Sequence, residues 1–527
     1  MTARTRLPWV LAIIVALALA APAGALASHR QEMILQDDAQ LIYSSPAHVS
    51  QTLQTLKAMG VDRVRVSVVW SLLAPQPNSS KQPKFNATNP AAYPAGSWFR
   101  YDFLDRVANQ VGIKVYFQPT APAPTWATPP RGLPQGYRWS HDPNAKDYGQ
   151  FVQAIATRYS GQYRAPDVSG KVTALPRVNY WGIWNEPNIG GWMTPQWNTV
   201  GGKLVEASPA IYRAMVNAAW TALVKTGHRS DTILIGETAA YGANHKGYGA
   251  SMDPLIFVRA FYCVGADYKP LKGSAATQIG CPKSGSPGAF ARANPALFDA
   301  TGWAHHPYDF DNAPNVHRAD PNSATLSNLA RIETALDRSQ RAYHKPAGKP
   351  IYITEWGVQS KAPSPFVKFT QAQQAEYLNE GEYMAWTNSR VPAFGQFLLV
   401  DAAPNPLETF GSKAYWATFQ SGLLFYPSDQ PKPAYNAFEL PIWLPDPQHS
   451  SSVYVWAQIR PTNAPRIATL QFKASGSSNW TTVAQLRSTN AEGFVTTHVS
   501  LPSAGGLRLS WIGPGNVGLD GRTAQVT

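Results

Sequence analysis

Two glutamates stand where strand-like stretches end, and carboxylates in that position can do acid–base and nucleophilic chemistry. Residues 178–188 (VNYWGIWNEPN) have the pattern of a buried strand that carries Glu186 and stops at Pro187, which cannot donate a ladder hydrogen bond. Residues 349–357 (KPIYITEWG) repeat the pattern with Glu355. Hydrolysis of a glycosidic bond needs two such groups, because one carboxyl protonates the leaving oxygen while the other attacks or stabilises the sugar cation. A single glutamate after a strand is usually a solvated loop residue, so the pair carries the prediction.

Both stretches resemble motifs of glycoside hydrolase clan A. Trp-Asn-Glu-Pro in the first resembles the acid/base motif of the clan, and Ile-Thr-Glu-Trp-Gly in the second resembles its nucleophile motif, in the clan's order. The resemblance spans about residues 30–440 and points to the cellulase-like family 5 or a close relative. It implies a retaining β-glycosidase that needs no cofactor. The assignments it implies are acid/base Glu186, nucleophile Glu355 and sugar 2-hydroxyl partner Asn185.

Further residues match places that the clan uses around its nucleophile. Arg65, on the second strand pattern, matches an arginine beside the nucleophile, and an ordinary salt bridge at the barrel rim is the alternative. His306 and Tyr308 match a sixth-strand unit whose side chains hydrogen-bond Glu355. A histidine pair could instead suggest a metal, but no ligand cluster at metal spacing accompanies it, so no metal is predicted. Glu237 is a third strand-end carboxylate, expected to support the site by binding substrate or pairing with Arg65.

Aromatic residues near these strand ends are candidates for stacking on sugar rings. Trp126 follows the third strand pattern in a Pro-rich segment and could form a subsite wall, although a core position is the alternative. Trp356 directly follows the second glutamate and is counted with the substrate contacts. The eighth strand pattern departs from the commoner clan arrangement, because Gln396 or Phe397 occupies the region of a tryptophan. That difference leaves the identity of the bound sugar open.

The elements that must position these residues alternate between strand and helix, which predicts an α/β fold with a parallel (β/α)8 TIM barrel. The predicted strands are Met33–Gln36, Val61–Trp70, Gly112–Gln118, the strand before Glu186, Thr232–Gly236, Thr301–Tyr308, Lys349–Gly357 and Ala393–Val400. The predicted helices are His48–Met59, Tyr101–Gln110, Asp142–Tyr159, Ser208–Thr226, Thr325–Tyr343 and Gln371–Thr387. Reactive residues of such barrels lie at the carboxyl ends of the strands, so the candidate residues should converge.

Composition shifts divide the chain into three parts. Residues 1–27 have the pattern of a cleavable signal peptide, with two arginines, a short apolar run and Ala-Leu-Ala at 25–27. Residues 28–444 hold the barrel, and residues 445–527 form short alternating strands that predict a small C-terminal β-sandwich. Three tryptophans of that sandwich either bind carbohydrate or pack against the barrel. They are Trp456, Trp480 and Trp511.

The amino-acid composition indicates which binding partners to expect. Of the 527 residues 12% are aromatic, including 18 Trp, which suits a carbohydrate substrate. The net charge of +13 is scattered without a long basic run, so no nucleic-acid partner is expected. The leader pattern and the absence of a second apolar span predict a secreted monomer without stable membrane insertion. Cys263 and Cys281 are expected to form a disulfide, with two free thiols as the alternative.

Two rival functions share these features. One is a non-catalytic carbohydrate-binding or cell-wall protein on a barrel scaffold, against which the complete set of charged candidates speaks. The other is a transglycosylase, which forms the same covalent intermediate and differs only in the acceptor. The sugar, the linkage, and endo or exo action on a polysaccharide or oligosaccharide depend on loop shapes around the cleft, which the sequence does not define.

Overall fold

Eight parallel strands close into a barrel in the computed structural model, which describes residues 30–129, 138–462 and 466–527. Their order around the barrel follows the chain, and β1 pairs with both β2 and β8. This confirms the predicted TIM barrel. The signal peptide prediction lies outside the described residues. The strands are β1 Glu32–Gln36, β2 Arg63–Val69, β3 Lys114–Thr120, β4 Tyr180–Gly182, β5 Thr232–Ala239, β6 Gly302–His306, β7 Ile351–Trp356 and β8 Ala393–Phe397.

Helices cover the outside of the barrel between successive strands. Several begin with proline in the first turn, where a missing N–H costs nothing, and Gly112 ends α2 in the left-handed conformation. The helix predicted over Gln371–Thr387 has those bounds, and Thr370 and Gln373 form a capping box at its start. The helices are α1 Pro46–Ala58, α2 Phe99–Val111, α3 Ala145–Arg158, α4 Ser208–Lys225, α5 Pro254–Phe261, α6 Leu329–Ala342, α7 Gln371–Thr387 and α8 Pro433–Glu439.

Strand β2 shows how the alternating pattern divides the side chains of the barrel. Val64, Val66 and Val68 are fully buried in the apolar layer between sheet and helices. The polar residues between them point into the barrel, where Arg63 pairs with Glu32 at 3.1 Å. Arg65, two residues further on, therefore stands inside the barrel nearer its carboxyl end.

The segment before Glu186 differs from the prediction. Strand β4 has only three residues and ends at Gly182, so Glu186 lies in the loop beyond the strand. The backbone of Trp184 has a φ of 65°, a left-handed conformation that interrupts a ladder. The loop is nevertheless anchored, because the N–H of Glu186 donates to the carbonyl of Glu237 at 2.9 Å.

The C-terminal residues form the predicted all-β domain as two antiparallel sheets. The three-stranded sheet has the order β9–β10–β13, and β16 pairs with β14 in the five-stranded one. The first strand begins at Ile442, before the predicted boundary at residue 445. The strands are β9 Ile442–Trp443, β10 Val453–Gln458, β11 Ile467–Ala474, β12 Thr481–Arg487, β13 Phe494–Val499, β14 Gly505–Ile512, β15 Gly518–Asp520 and β16 Ala524–Val526.

Aromatic rings join this domain to the barrel. Trp456 is fully buried, and its ring centroid lies 6.1 Å from that of Trp386 on α7 and 6.1 Å from that of Phe494. Trp511 is buried in the core of the domain itself. Trp480 is partly buried, with the guanidinium of Arg508 4.2 Å from its ring centre. The sequence left two roles open for these tryptophans, carbohydrate binding and packing against the barrel. Trp456 packs against the barrel.

The segment between α5 and β6 contains the short helices Gly273–Thr277, Pro287–Ala293 and Pro295–Asp299. A disulfide joins Cys263 to Cys281 at its start, as predicted. Two-stranded ribbons lie after α3, at Arg164–Pro166 and Val172–Ala174, and after β4, at Trp197–Val200 and Lys203–Glu206. Within the described ranges, the helices are too short or too polar to cross a membrane.

Candidate active site

The backbone around the candidate glutamates is unusual. Glu186 has a φ of 37° and Glu237 a φ of 49°, left-handed conformations that non-glycine residues adopt at an energetic cost. Asn188 supports this region, because its side chain accepts from the N–H of Ala239 at 2.9 Å and donates to the carbonyl of Met252 at 2.9 Å. Such conformations persist where surrounding contacts over-determine them, and they cluster at functional sites.

Gly182 makes room for the carboxylate at the centre of the barrel. A Cβ at this position would lie 2.6 Å from Oε1 of Glu237 and 2.4 Å from the hydroxyl of Tyr116. Both contacts are far below van der Waals distance. The small residue at the end of β4 is therefore required by Glu237 and Tyr116, which hydrogen-bond each other.

Arg65 is the hub of the site. Its Nη1 lies 2.9 Å from Oε2 of Glu355 and also contacts the side chain of Gln36. Its Nη2 lies 3.1 Å from Oε2 of Glu237 and 3.0 Å from Oδ1 of Asn185. Burial would lower the pKa of Arg65, but Glu237 and Glu355 raise it, so the side chain is a permanent cation. Arg65 therefore lies between the carboxylates of Glu237 and Glu355. Its position beside Glu355 is the one that the sequence predicted.

Glu355 is held on both of its oxygens. Oε2 accepts from Arg65, and Oε1 accepts from the hydroxyl of Tyr308 at 3.0 Å. Burial and the neighbouring Glu355 raise the pKa of Tyr308, so its hydroxyl keeps its proton and remains a donor. The carboxylate is 8% exposed, enough to reach the cavity beside it.

His306 contacts other partners than the one predicted. Its Nδ1 lies 3.0 Å from Oε1 of Glu186 and its Nε2 lies 3.0 Å from Oε2 of Glu237, whereas Glu355 is 3.8 Å away. Burial would lower the pKa of His306, but Glu355, Glu186 and Glu237 raise it to about 9. The imidazole is therefore a cation at neutral pH, and both of its N–H groups donate. It bridges the carboxyls of Glu186 and Glu237 and does not hydrogen-bond Glu355.

Glu237 lies beneath the site. Its side chain is fully buried, and besides Arg65 and His306 it accepts from Thr354 at 2.9 Å and from Tyr116. Burial would raise the pKa of Glu237, but Arg65 and His306 lower it, so it is an anion. Because its side chain is fully buried and lies 3.1 Å from Arg65, Glu237 serves as a counter-ion of Arg65. This is the second of the two supporting roles expected for it.

The carboxyls of Glu186 and Glu355 open into one cavity of about 490 Å³ at the carboxyl ends of the strands. One oxygen of each lies within 4.8 Å of the other and of a His306 ring nitrogen. Asn185 also lines the cavity. Its Oδ1 accepts from Arg65 and, at 3.1 Å, from Gln118, which leaves its amide N–H groups for a bound molecule.

Trp126 and Trp356, two residues predicted to contact the sugar, lie outside the cavity that Glu186 and Glu355 share. Trp126 is partly buried, packs edge-on against Trp70 at 5.9 Å and lines a separate pocket with Thr128, so it lies outside the cavity that Glu186 and Glu355 share. Trp356 is buried outside the barrel wall, where its ring occupies the space above Gly381 of α7. Strand β7 is irregular here, because its pairing with β8 shifts register between Ile353 and Trp356, and the ring of Trp356 packs outward against α7.

Sequence reasoning missed four polar residues of the network and most of the cavity's aromatic residues. The missed polar residues share one signal, an inward position on a buried barrel strand, and they are Gln36, Tyr116, Gln118 and Thr354. The aromatic residues that line the cavity are Trp192, Tyr241, Tyr308, Phe310, Phe397, Phe419 and Tyr426. Most of them lie in loops after the strands, where no periodicity indicates which way a side chain points.

Glu186, His306 and Glu355 could together offer three ligand atoms to a metal ion. The chemistry of His306 argues against that use, because both of its nitrogens donate hydrogen bonds and a histidine must be neutral to bind a metal. The prediction that the site works without a metal stays a prediction.

Neither a protein-family model nor a curated protein sequence matches the chain. Solved structures similar to it include fungal β-1,4-galactanases, at 14% identity and a TM-score of 0.40 over 73% of this chain and 90% of that one. An exo-β-1,4-mannosidase from Opitutaceae bacterium strain TAV5 matches at 14% identity and a TM-score of 0.41, over 77% of this chain and 58% of that one.

A GH5_18 protein from Streptomyces cattleya, in complex with GlcNAc, matches at 14% identity and a TM-score of 0.44, over 77% of this chain and 78% of that one. The assignment of this chain's fold rests on its own closed, eight-stranded parallel sheet. Fold and site together define a TIM barrel with two carboxyls facing one cavity at the carboxyl ends of its strands.

Proposed function

We propose that this chain is an exported, retaining β-glycosidase that hydrolyses the O-glycosidic bond of a β-linked carbohydrate. The observation that carries the proposal is the pair Glu186 and Glu355, whose oxygens approach within 4.8 Å around one cavity. Carboxyls about 5–5.5 Å apart suit a covalent glycosyl-enzyme, whereas inversion needs about 6.5–9.5 Å to admit a water between them. The short separation supports retention of configuration.

Glu355 is the nucleophile of the proposal. Arg65 and Tyr308 each bind one of its oxygens, so the carboxylate is oriented and its negative charge is stabilised. In the first step it bonds to the anomeric carbon while the glycosidic oxygen departs. The hydrogen bond from Tyr308 also keeps the attacking oxygen in one position, which lowers the entropy lost in the transition state.

Glu186 is the acid and then the base. The buried cluster contains three carboxyls (Glu186, Glu237, Glu355) and two cations (Arg65, His306), so its charges cancel when Glu186 carries one proton. That proton goes to the leaving oxygen in the first step. The resulting carboxylate then takes a proton from the water that displaces Glu355. Throughout, the Nδ1–H of His306 holds one oxygen of Glu186 and leaves the other for this proton transfer.

Asn185 binds the sugar in this scheme. Arg65 and Gln118 both donate to its Oδ1, so its amide group is oriented and its N–H groups remain available. A hydroxyl beside the anomeric carbon can accept from that amide, and such contacts to the 2-hydroxyl strengthen as the transition state forms.

Export is a separate part of the proposal. Its support is the leader pattern of residues 1–27 and the disulfide between Cys263 and Cys281, a bond that persists in oxidising compartments. Amino-terminal sequencing of protein recovered from culture medium tests it. The expected mature chain begins at Ser28, and a chain that stays in the cell with its leader would contradict export.

The catalytic proposal is tested with aryl β-glycosides of glucose, galactose, mannose and xylose and with β-linked glycans. Wild type is expected to cleave at least one, and Glu355→Gln to lose about 10⁴-fold or more in kcat/KM, because the nucleophile is gone. Glu376→Gln is the matched control, since Glu376 is exposed on α7 and lies outside the network, and it should retain wild-type turnover.

The role of Glu186 needs its own measurement. Glu186→Ala is expected to keep cleaving aryl glycosides with good leaving groups slowly, and azide should accelerate it by forming a glycosyl azide of the substrate's own anomeric configuration. A product of inverted configuration would contradict retention. Full activity in Glu355→Gln would make Glu355 the wrong nucleophile, and glycan binding without cleavage by wild type would favour a non-catalytic binding protein.

A further inference from the structure

The cavity has two unlike walls. The polar wall comes from the ends of β1 and β2 and consists of Gln36, Asp37, Asp38, Gln40 and Ser67. The apolar wall comes from the loops after β6 and β8 and consists of Tyr308, Phe310, Phe397, Leu398, Val400, Asp401, Ala402, Ala403, Phe419 and Tyr426. The carboxyls of Glu186 and Glu355 lie in the same cavity, so a bound glycoside contacts both walls.

Two polar side chains of the apolar wall, Asp401 and Tyr308, are held by protein partners, and Tyr426, which is 44% exposed, adds one further hydroxyl. The carboxylate of Asp401 accepts from the ammonium of Lys432 at 2.6 Å and from the N–H of Gly422 at 3.0 Å. The hydroxyl of Tyr308 donates to Glu355. The face of a sugar ring could stack on the aromatic rings of this wall, but most of its hydroxyls would meet groups that have partners or cannot form hydrogen bonds, and burying unmatched hydroxyls is unfavourable.

The apolar wall continues outward along one loop, residues 402–419, here called the strand 8 loop. Its base is closed by two backbone hydrogen bonds of 2.8 Å, from Ala402 to Phe419 and from Asn405 to Tyr415. Its tip presents Leu407, 92% exposed, and Phe410, 85% exposed. The base therefore lines the cavity while the tip holds large apolar side chains in solvent.

Ring contacts form one set in the cavity and a separate set at the tip of the loop. In the cavity, Phe419 packs against Phe397 at 5.2 Å and Phe310 at 5.9 Å. At the tip, Phe410 packs against Tyr415 at 5.2 Å. Further exposed apolar residues come from the loops after β6, β7 and β8: Val316, Phe366 and Tyr426. Grouped apolar exposure of this kind marks a binding surface, whereas single exposed residues need no explanation.

We propose that the leaving group of the substrate is an alkyl chain, bound by the apolar wall and the strand 8 loop while the polar wall binds the sugar. This substrate class, β-glycosides of long-chain alcohols, rests on the proposed glycosidase function. Glu355 bonds to the anomeric carbon as the carbon–oxygen bond to the chain breaks, and Glu186 gives the alcohol its proton. Water then displaces Glu355 and returns a proton to Glu186, so the products are a free sugar and an alcohol.

The test compares methyl and octyl β-glycosides of glucose, galactose, mannose and xylose, each below its micelle concentration. Each methylene that the surface covers should improve kcat/KM by about fourfold, so covering about two or three methylenes of the chain should make octyl exceed methyl on the order of 30-fold for the accepted sugar. The improvement should appear mainly in KM, because the chain lies outside the reacting atoms.

The double variant Leu407→Ser/Phe410→Ser is expected to reduce that octyl preference to about threefold or less and to leave methyl turnover unchanged. The matched control is Ile512→Ser/Val517→Ser, a pair of exposed apolar residues in the C-terminal domain, which should keep the preference. Because all four side chains are solvent-exposed, neither variant removes a buried contact, and circular dichroism can verify that both fold.

Equal cleavage of methyl and octyl glycosides by wild type would overturn this proposal and leave the glycosidase function intact. A preference that survives in Leu407→Ser/Phe410→Ser would also overturn it. Sedimentation that shows a wild-type dimer and a monomeric variant would assign the loop to a subunit contact instead. If wild type cleaves no aryl, methyl or octyl glycoside but does cleave a β-linked glycan, this inference fails and the glycosidase function stands. If it cleaves none of these substrates, both fail.

Discussion

Two buried arginines of this protein have similar surroundings and different consequences. Arg65 lies inside the barrel between Glu237 and Glu355, at 3.1 Å and 2.9 Å. Arg460 lies where the C-terminal domain meets the barrel, 3.0 Å from Glu382 of α7. Each has an aromatic neighbour, the ring of Tyr116 for Arg65 and that of Phe438 for Arg460. Both guanidinium groups therefore neutralise buried carboxylates beside an aromatic ring.

The two sites differ in how far nearby cations offset burial and in access, since Arg522 as well as Arg460 acts to lower the pKa of Glu382. Two cations, Arg65 and His306, outweigh burial at Glu237 and lower its pKa, whereas Arg460 does not outweigh burial at Glu382, whose pKa is raised. The side chain of Glu355 is 10% exposed and faces a cavity, whereas that of Glu382 is 3% exposed and enclosed. The comparison teaches that a buried ion pair becomes a candidate for chemistry when one carboxylate remains accessible.

The largest effect is expected at Arg65. Arg65→Met leaves Glu237 and Glu355 without their shared cation, and kcat/KM on the best aryl glycoside should fall on the order of 10³-fold. Arg63→Met is the control, because Arg63 lies on the same strand and pairs with Glu32, away from the cavity. A folded Arg65→Met protein with more than a tenth of wild-type kcat/KM would remove the distinction between the two arginines.

Substitution of Arg460 should reduce the stability of the protein and leave its activity nearly unchanged. Arg460→Met leaves the carboxylate of Glu382 buried and unpaired, so the free energy of unfolding should drop by about 3–4 kcal/mol, while kcat/KM at 25 °C stays within about twofold. Urea denaturation measures the first and aryl-glycoside turnover the second. Glu382→Leu/Arg460→Met should recover most of the stability, because an apolar pair carries no desolvation penalty. A double variant no more stable than the single one would show that packing, not charge, dominates here.

The two neighbouring histidines of β6 should give opposite pH dependences of stability. The pKa of His306 is raised to about 9, above its ordinary value of 6.5, so its contribution of about 3 kcal/mol is complete below pH 6.5 and lost as pH rises to 9. Burial lowers the pKa of His305 to about 4, so its contribution is complete above pH 6.5 and lost as pH falls toward 4.

Chemical denaturation between pH 4 and pH 10 tests the opposite pH dependences of His305 and His306. The variants His305→Asn and His306→Asn serve as controls for each other. His306→Asn should flatten the alkaline limb of the stability curve, and His305→Asn should flatten the acid limb. An alkaline limb that persists in His306→Asn would show that another group titrates there and that His306 is not the second cation of the network.

The smallest effect is expected at Tyr308. Tyr308→Phe removes the hydrogen bond of 3.0 Å to Glu355 but leaves Arg65 in place, so kcat should fall about 30-fold with an unchanged fold. Tyr426→Phe is the matched control, since Tyr426 lines the cavity without an assigned role in the network. Equal effects of the two substitutions would mean that Glu355 does not depend on the tyrosine hydroxyl.

Much of the site was predictable, because strand periodicity and strand ends can be read along the chain. Glu186 and Glu355 were assigned from their strand context, and Arg65 from its resemblance to a clan A arginine, and the structure brings the three together. Trp356 was wrong as a cavity residue, although it directly follows Glu355. The pairing of β7 with β8 shifts register between Ile353 and Trp356, and the tryptophan packs outward against α7.

Other features depend on distances between strands that are far apart in the sequence. The preference of His306 for Glu186 over Glu355 is a difference of 0.8 Å between 3.0 Å and 3.8 Å, which no pattern along the chain encodes. Gly182 is explained only by the side chains of Glu237 and Tyr116, which come from other strands.

By itself, the sequence determined the order of strands and helices, the strand ends that carry carboxyls, the disulfide and the presence of a C-terminal β domain. These follow from local periodicity, turn residues and residue type, which act over a few positions. Only the tertiary structure decided the partner of each charged group, the burial of Glu237, the packing of Trp456 against the barrel, and the two unlike walls of the cavity. Those outcomes depend on barrel closure and loop conformation, which bring side chains together from opposite ends of the chain.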